Sequence, residues 1–446
     1  MTAEIAVLNR EAAALAADSA VTLRLPEGNK IYQTNKLFAL SKYEPIGIMV
    51  YGNAGFMGLP WETIIKSYRA HLGQACFPRL SDYGSHFLAY LERSSDLFPL
   101  GAQEEFCYHF TRARLQRLKM RLHKALQGVV RADGTVTKKQ CRSAFIDLVS
   151  KDANSLKGHP RLLRLKGTST ASVARRYGDC ISRAIKDELE GLAGLIPRRA
   201  LLDSCIQALL KDLYWSSESG VVIAGFGTEQ VLPCLRSYIT DGIVGTRLRV
   251  KEDTEAQFDV TNESSACIRA FAQSEMVGLF MNGIDRDFAG YLDDFINRSF
   301  VVEYPALLQR LLQKHIPGAH LGKTSKKLVA LGEQIVSEYA RAFQEYSRSN
   351  HWWPVIEIVN YLPKEELAAM AEALVNLTSF KRHVTKQAET VGGPIDVAII
   401  SRGDGLIWIK RKHYFSKDLN QHFLSNYYND VRRYGATHAK KVVPFP

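Results

Sequence analysis

Hydrophobic residues form strand-like runs in only three parts of the chain. The first part is the N-terminal forty-odd residues, the second lies in the middle, and the third lies near the C-terminal end. The best-defined runs span residues 36–40, 46–52, 220–227, 395–400 and 406–410. The last two flank a Gly403-Asp404-Gly405 segment, and an Asp-Gly turn between two apolar runs is typical of a β-hairpin. The pattern therefore predicts strands at these places and a hairpin near the end.

Between the strands, apolar positions recur at helical spacing. Helices are predicted over residues 60–73, 83–93, 103–126, 138–150, 172–214, 264 to about 283, 288–345 and 364–380. The last begins next to Pro363 and has Glu365 and Glu366 in its first turn, which is typical of a helix N-terminus. Helices therefore alternate with strands in large blocks. That order predicts one discontinuous α+β core interrupted by helical insertions.

Length and composition narrow the class of protein. A chain of 446 residues carries a prior of about three domains. Its 46% hydrophobic and 23% charged residues are the balance of an ordinary globular protein, which excludes disordered and fibrous classes. The sequence has no apolar run long enough to cross a membrane and no secretory signal at its start. A cytoplasmic protein without a membrane partner is the expectation.

Cofactor and metal motifs are missing from the sequence. The seven cysteines are scattered singly, as in a reducing compartment, and no Cys or His cluster has zinc spacing. Gly225-Phe226-Gly227 starts like a dinucleotide fingerprint, but Gln230 stands where the third glycine belongs. Neither a cofactor nor a metal is therefore predicted.

The net charge of +12 has its densest cluster on one predicted helix. The cluster consists of Arg112, Arg114, Arg117, Lys119, Arg121 and Lys124. Leu115, Leu118 and Leu122 recur beside it at helical spacing, so the segment is predicted to be an amphipathic helix with a basic face. The face is either an ordinary solvated surface or a binding surface for nucleic acid or an acidic protein. The sequence leaves both open.

Thr2 is the first candidate for chemistry. If Met1 is removed, which a small second residue permits, the chain begins with a threonine whose hydroxyl attacks while its own α-amine accepts the proton. The amine has a reference pKa near 8, so the reaction needs a nearby cation that keeps it neutral and a carboxylate that holds the cation. Asp18 follows Thr2 by sixteen positions, and Lys36 opens the run Lys36-Leu37-Phe38. Lys30, in Lys30-Ile31-Tyr32, competes with Lys36 for the role.

In these segments the sequence resembles the proteasome-type N-terminal-nucleophile (Ntn) hydrolases. That family has the same spacing between nucleophile and acid, and its lysine opens a similar strand. Further stretches that resemble it are residues 221–227 with 238–242, residues 272–276 and residues 392–400, so the likeness spans just under half of the chain. The resemblance implies a four-layer α-β-β-α sandwich. It assigns Ser274 to support of the amine, and the backbone at Tyr51 and Gly52 to stabilisation of the oxyanion.

Two departures from the family pattern affect the outer part of the site. The family has an acid and a serine just before its Gly-Gly pair. Here Ala388 and Val391 occupy those positions, and Glu389 is offset by one. In addition, Tyr51 stands where the family has a small glycine, which puts a large side chain beside the access route.

The resemblance implies a threonine-type hydrolase of peptide or amide bonds with Thr2, Asp18, Lys36 and Ser274 as site residues. It also implies a peptide or protein substrate, a homo-oligomer with a ring as one form, and an ATP-dependent or acidic partner. The alternative is a non-catalytic assembly or binding protein of the same fold that uses the basic helical insertion. The expected division is 1–96, 217–284 and 364–414 for the core, 97–216 and 285–363 for the helical insertions, and 415–446 for a C-terminal tail.

Overall fold

The computed structural model describes residues 2–25, 28–127, 136–192, 197–215, 218–313, 318–385, 391–413, 415–416, 418–422 and 425. Within them the strands in chain order are β1 Ala3–Leu8, β2 Ala12–Ala17, β3 Ala20–Leu25, β4 Gly28–Gln33, β5 Leu37–Ala39, β6 Ile46–Gly52, β7 Gly55–Phe56, β8 Leu59–Pro60, β9 Ser219–Gly225, β10 Cys234–Val244, β11 Arg247–Glu252, β12 Phe258–Asp259, β13 Cys267–Ala272, β14 Asp396–Ser401 and β15 Gly405–Lys410. The helices are α1 Trp61–Leu72, α2 Leu80–Arg93, α3 Leu100–Gln127, α4 Lys138–Gly158, α5 Thr170–Glu188, α6 Arg198–Leu209, α7 Glu275–Asn282, α8 Arg286–Asn297, α9 Tyr304–Leu312, α10 Gly318–Ser347, α11 Trp353–Val359 and α12 Lys364–Val384.

Two antiparallel sheets form the centre of the molecule. The first sheet has the order β13-β1-β2-β14-β15, and the second has the order β11-β10-β9-β6-β5 with β12 beside β10. Strands distant in sequence are thus neighbours in space, which confirms the predicted α+β class and the discontinuous order of its strands. The β14–β15 hairpin predicted from the Asp-Gly turn is confirmed as well, with Ser401 opposite Gly405.

The sheets pack face to face through apolar side chains. Ala13, Leu15 and Ala17 of β2 share a buried cluster with Met49 of β6 and Val222 of β9, among others. The approach is so close at Gly47 of β6 that a Cβ there would lie 2.9 Å from a methyl group of Leu15. The backbone of β6 therefore lies in close contact with the first sheet at this point.

Helices cover the outer faces of both sheets. Helix α12 packs on β1 and β2 of the first sheet, through a cluster that also includes side chains of α7 and α11. Helices α1 and α2 pack on the second sheet through Trp61, Tyr68 and Phe87. This covering explains why the alanine-rich strand β2 is not a helix. Both of its faces are buried, and tertiary packing overrides the helical preference of alanine.

One prediction from helical periodicity is wrong. Residues 264–283 do not form one helix, because β13 occupies Cys267–Ala272 and α7 begins only at Glu275. The segment instead pairs with β1 as the edge strand of the first sheet, with Ala3 opposite Ala272. The helix-rich block predicted to include residues 172–214 is confirmed there, where α5 and α6 are its two α-helices among the described residues.

The basic block on α3 is exposed in part: Arg117, Lys119, Arg121 and Lys124 are exposed, whereas Arg114 is buried. Arg114 is only 1% exposed and forms an ion pair with Asp152. Its neighbours pair as well: Arg112 and Lys119 with Glu188, Arg121 with Asp152, and Arg117 with the ring of Trp215. Leu115, Leu118 and Leu122 are buried as predicted. The prediction of an exposed basic face is therefore wrong for Arg114. Its basic neighbours Arg112, Arg117, Lys119 and Arg121 contact side chains of the same predicted helical insertion.

None of the helices described is both long and apolar enough to cross a lipid bilayer. The described residues contain no group of three or more His, Cys, Asp or Glu side chains placed to hold a metal ion.

Candidate active site

The β1–β2 hairpin brings Thr2 and Asp18 together. Its register pairs Glu4 with Ala17, and the Asp18 N–H donates to the carbonyl of Ala3 at 3.1 Å. Asp18 therefore leaves the end of β2 directly beside the residue that precedes β1. The separation of sixteen positions is the consequence of two six-residue strands joined by a short turn.

Lys36 reaches the same point from the second sheet. It lies just before β5, where its carbonyl accepts a hydrogen bond from Val50 of β6 at 3.0 Å. Its side chain crosses into the layer between the sheets and is 5% exposed. Lys30, the competing candidate, is exposed on the β3–β4 hairpin. The geometry thus places Lys36 at Thr2 and leaves Lys30 in solvent.

A short chain of hydrogen bonds joins the three side chains. The Thr2 hydroxyl donates to Oδ1 of Asp18 and accepts from Nζ of Lys36. Lys36 also donates to Asp18 Oδ1 and to the carbonyl of Ala20, each at 2.7 Å. All three donors of the ammonium group are therefore used. A hydroxyl held between a cation and a carboxylate is poised to lose its proton.

Backbone amides fix the Asp18 carboxylate. Oδ1 accepts from the N–H of Ala3 at 3.1 Å, and Oδ2 accepts from Ala20 at 3.2 Å and from Gly392 at 3.0 Å. The last contact ties the loop before β14 to the site. Of the residues at which the sequence departs from the family pattern in this loop, Val391 is buried, whereas Ala388 and Glu389 lie outside the described residues, as does Met1.

Burial affects the charge of Lys36. Removal from water lowers the pKa of the Lys36 ammonium below its ordinary value, while the negative charge of Asp18 opposes this effect. A buried lysine with a depressed pKa exchanges its proton more easily near neutral pH than a surface lysine does.

Ser274 lies close to Thr2 along the backbone but not in side-chain contact. Ala272 has a left-handed φ of 61°, which is rare for a residue with a Cβ, and it turns the chain so that the Gln273 N–H donates to the Thr2 carbonyl at 3.1 Å. Ser274 follows as the exposed residue directly before α7. Among the described residues, the hydroxyl of Thr2 is bonded to Asp18 and Lys36 and not to Ser274.

Ser274 instead lines a cavity of about 810 Å³ between α7 and the second helical region, with Met281, Phe343 and Trp352 among its other walls. None of Thr2, Asp18 and Lys36 lines this cavity.

Tyr51 and Gly52 end strand β6 near Lys36. The Tyr51 ring stacks on Phe271 with centroids 5.7 Å apart, and burial raises the pKa of its hydroxyl to about 12. Gly52 has φ of 85°, and a Cβ there would lie 2.5 Å from the carbonyl oxygen of Glu218. Only glycine fits that position.

The direction of the backbone amides separates Tyr51 from Gly52. Successive N–H groups of a strand point to opposite edges. The Val50 N–H points to the Lys36 side, and the Gly52 N–H, two residues on, points the same way. The Tyr51 N–H points to β9, where Gly220 is its partner in the register. Gly52 is therefore the better placed of the two to donate to an oxyanion near Thr2.

Sequence reasoning missed one ionisable residue of the site. Glu4 is 0% exposed in the layer between the sheets and lies within the electrostatic range of both Asp18 and Lys36. In the sequence it looks like an ordinary acid in a short strand. Only its pairing on both sides, with Ala17 and Phe271, reveals its burial.

Comparisons with known proteins give no family for the chain. No family model matches it and no curated protein is significantly similar. Three similar solved structures are an Anbu (Gly-1) mutant from Hyphomicrobium sp. strain MC1, the helical assembly of the Anbu complex from Pseudomonas aeruginosa, and Anbu (ancestral β-subunit) from Yersinia bercovieri. The first and third are 10% identical, with TM-scores of 0.27 and coverage of 99% of this chain and 100% of theirs. The second is 8% identical, with a TM-score of 0.26 and coverage of 100% and 98%. Likenesses this weak carry no argument about function, which rests on the geometry above.

Proposed function

We propose that the chain is a threonine-type N-terminal-nucleophile hydrolase that cleaves peptide or amide bonds. One observation carries the proposal: the Thr2 hydroxyl is hydrogen-bonded to both Asp18 and Lys36 in a buried site. These residues come from separate sheets, and their side chains meet only at this point. A structural hydroxyl has no need of a buried cation and a buried carboxylate together.

The proposed reaction requires that Met1 is removed, so that Thr2 carries a free α-amine. The Thr2 oxygen attacks the substrate carbonyl while the amine takes the hydroxyl proton, and the Gly52 N–H stabilises the oxyanion. The carbon–nitrogen bond then breaks as the amine returns its proton to the leaving nitrogen. Water hydrolyses the resulting ester and restores Thr2. Lys36 lowers the energy of the alkoxide by its charge, and Asp18 orients Lys36.

The proposal includes a four-layer α-β-β-α sandwich of the Ntn type as the catalytic core. Its support is the packing of α12 on one sheet and of α1 and α2 on the other, with the two sheets in contact. Residues 97–216 and 285–363 are then insertions in that core, with Ser274 at the edge of the site. In the second insertion large apolar side chains are exposed, including Phe288, Tyr291, Leu311 and Trp353, which favours association of the chain with further copies.

Intact mass and covalent labelling test the proposal. The purified protein is expected to lack Met1. A peptide epoxyketone, which reacts with both the hydroxyl and the amine of an N-terminal threonine, is expected to add one equivalent to Thr2. The T2A variant is expected to fold with an unchanged circular-dichroism spectrum and to lose labelling and peptide turnover.

Replacement of Thr22, which lies in β3 outside the site, is the matched control and is expected to leave labelling intact. Retention of Met1 in the purified protein, or equal peptide turnover by the T2A variant, sinks the proposal.

A further inference from the structure

Glu4 occupies an unusual position for a carboxylic acid. Along β1, Ala3, Ile5 and Val7 face α12, whereas Ala6 and Leu8 face the second sheet. Strand alternation therefore directs Glu4 into the layer between the sheets. Its partners in the register, Ala17 and Phe271, belong to the apolar cluster of the same layer.

Both carboxyl oxygens of Glu4 are buried without a hydrogen-bond partner among the described residues. An ionised carboxylate in such a place would lose its hydration and receive nothing in exchange. A protonated acid costs much less, because only a neutral polar group is then desolvated. Burial accordingly raises the pKa of Glu4 well above its ordinary value, although Lys36 opposes the effect.

The charges around Glu4 are already balanced without it. Lys36, the cation whose charge acts on Glu4, pairs with Asp18 at 2.7 Å. Lys412, whose charge acts on Lys36, pairs with Asp396 at 2.6 Å. From the second sheet, Tyr51 faces Glu4 as a neutral phenol. A negative charge on Glu4 would therefore be the unmatched one in this cluster.

We propose that Glu4 is a positioning residue that holds a proton at neutral pH and whose ionisation switches off Thr2 by cancelling the positive charge that Lys36 presents to it. This inference rests on the proposed function, because it concerns the control of the same nucleophile. Glu4 acts through Lys36 and makes no contact with Thr2 or with the substrate. The site is thus active only while the layer between the sheets carries one cation and one anion.

The physical link is the charge that Lys36 presents to Thr2. With Glu4 neutral, the positive charge of Lys36 favours the neutral amine and the deprotonated hydroxyl of Thr2. With Glu4 ionised, the new negative charge cancels much of that effect, and both Thr2 groups retain their protons at higher pH. The rate of Thr2 labelling in wild type is then expected to fall as Glu4 ionises and to level off at the lower rate of the ionised form.

Infrared difference spectroscopy reads the Glu4 proton without reference to activity. A protonated carboxyl group has a carbonyl stretch that an ionised one lacks. At pH 7, the wild-type minus E4Q spectrum is expected to contain this band, and the band is expected to disappear at the pH where labelling of wild type begins to fall. Absence of the band at pH 7 overturns the proposal.

Labelling of Thr2 by the peptide epoxyketone as a function of pH tests the coupling. Glutamine mimics the protonated acid, so E4Q is expected to remain reactive at a pH where the wild-type rate has fallen at least tenfold. E4M, which fills the same apolar space, is expected to behave like E4Q. The control E11Q, on an exposed acid of the same hairpin, is expected to retain the wild-type profile.

Superimposable profiles of wild type and E4Q would overturn the coupling even if the infrared band is present. Failure of every protein to be labelled at any pH sinks the proposed function and the control of Thr2 with it. Failure of the infrared band alone leaves the proposed function standing. The two readouts therefore separate the two failures.

Discussion

Among the residues that the structure describes, two ion pairs have both side chains buried, and only one of them is suited to chemistry. Asp18 and Lys36 meet between the sheets at 2.7 Å. Asp241 and Arg249, on β10 and β11, meet at 2.8 Å with both side chains inaccessible to solvent. Their distance and burial are nearly the same. The difference lies in what else touches each cation.

Arg249 has no capacity left for a reaction. Its guanidinium donates to both carboxylate oxygens of Asp241 and to the carbonyls of Leu209, Lys211 and Leu213. The rings of Phe110 and Tyr214 lie 4.7 and 5.6 Å from its centre. These bonds connect the end of α6 and the segment after it to the second sheet. Since arginine does not give up its proton in proteins, the pair serves as a structural joint.

Lys36 differs in both respects. One of its three bonds goes to a hydroxyl, and burial lowers its pKa. Next to it stands Glu4, whose carboxyl group has no partner among the residues that the structure describes. An ion pair whose hydrogen bonds are all made to the protein frame stabilises the fold. An ion pair that is also bonded to a hydroxyl and lies beside an acid without a partner can take part in proton transfer.

Exchange of the cation at the site should have the largest effect. In K36R the planar guanidinium cannot direct three donors toward Thr2, Asp18 and Ala20 from one atom. The rate of Thr2 labelling by the epoxyketone is expected to fall about 10²–10⁴-fold. K36M serves as a second variant without charge. K30R on the exposed hairpin is the control, and an equal loss in K30R would contradict the assignment of Lys36.

Removal of the structural cation should instead affect the free energy of unfolding. R249M leaves Asp241 buried without its partner, which is expected to destabilise the fold by about 3–5 kcal/mol. Urea denaturation followed by circular dichroism measures the change. The double variant R249M/D241L removes both charges and is expected to recover much of the loss. If the single variant is as stable as wild type, the description of this pair as a joint is wrong.

The two pairs also differ in how far the sequence predicts them. The separation of Thr2 and Asp18 reflects a tight hairpin of two strands, so it can be read along the chain. Lys36 could be proposed but not separated from Lys30, because the length of the β3–β4 hairpin decides which lysine reaches the layer. The Asp241–Arg249 pair could not be predicted from the sequence. Most acceptors of Arg249 are backbone carbonyls at the end of α6 and just after it, and no local sequence pattern marks them.

Strand β13 and the burial of Glu4 are two further features that local sequence patterns do not predict. Cys267–Ala272 alternates weakly and precedes a true helix, so periodicity extended the helix backward over it. Its membership of the sheet depends on pairing with β1, more than 250 positions away in sequence. The burial of Glu4 depends on the same pairing. Properties fixed by long-range strand pairing are those that local patterns do not contain.

A third and smaller effect is expected in the pH dependence of the free energy of unfolding, through Glu4 beside the Asp18–Lys36 pair. Glu4 has a raised pKa in the folded state, against about 4.3 when unfolded. Between these two values the folded state binds more protons, so the wild type loses stability as pH rises, by about 1.4 kcal/mol per pH unit for one proton. E4Q has no such proton, and its stability relative to wild type is expected to increase over that window. Urea unfolding at a series of pH values measures the difference.

A decrease in that relative stability with pH would mean that Glu4 is ionised and paired in the folded protein, contrary to the expectation. The control is E11Q, since Glu11 is exposed at the turn of the same hairpin and is expected to show a difference that does not vary with pH.

A third ion pair, on the surface, is expected to have the smallest coupling energy of the three. Lys151 and Asp147 lie one turn apart on α4, with nitrogen and oxygen 2.7 Å apart, close to the separations in both buried pairs, but with exposed fractions of 69% and 59%. Water screens this pair, and its side chains lose rotamer freedom when they meet. The coupling energy in a double-mutant cycle of K151M and D147N is therefore expected to be about 0.3–0.5 kcal/mol and to fall with added salt. A coupling as large as that of Arg249 with Asp241 would show that distance alone sets the strength of these pairs. The expected small value would show instead that the surroundings decide whether an ion pair acts as a joint, a catalytic element or neither.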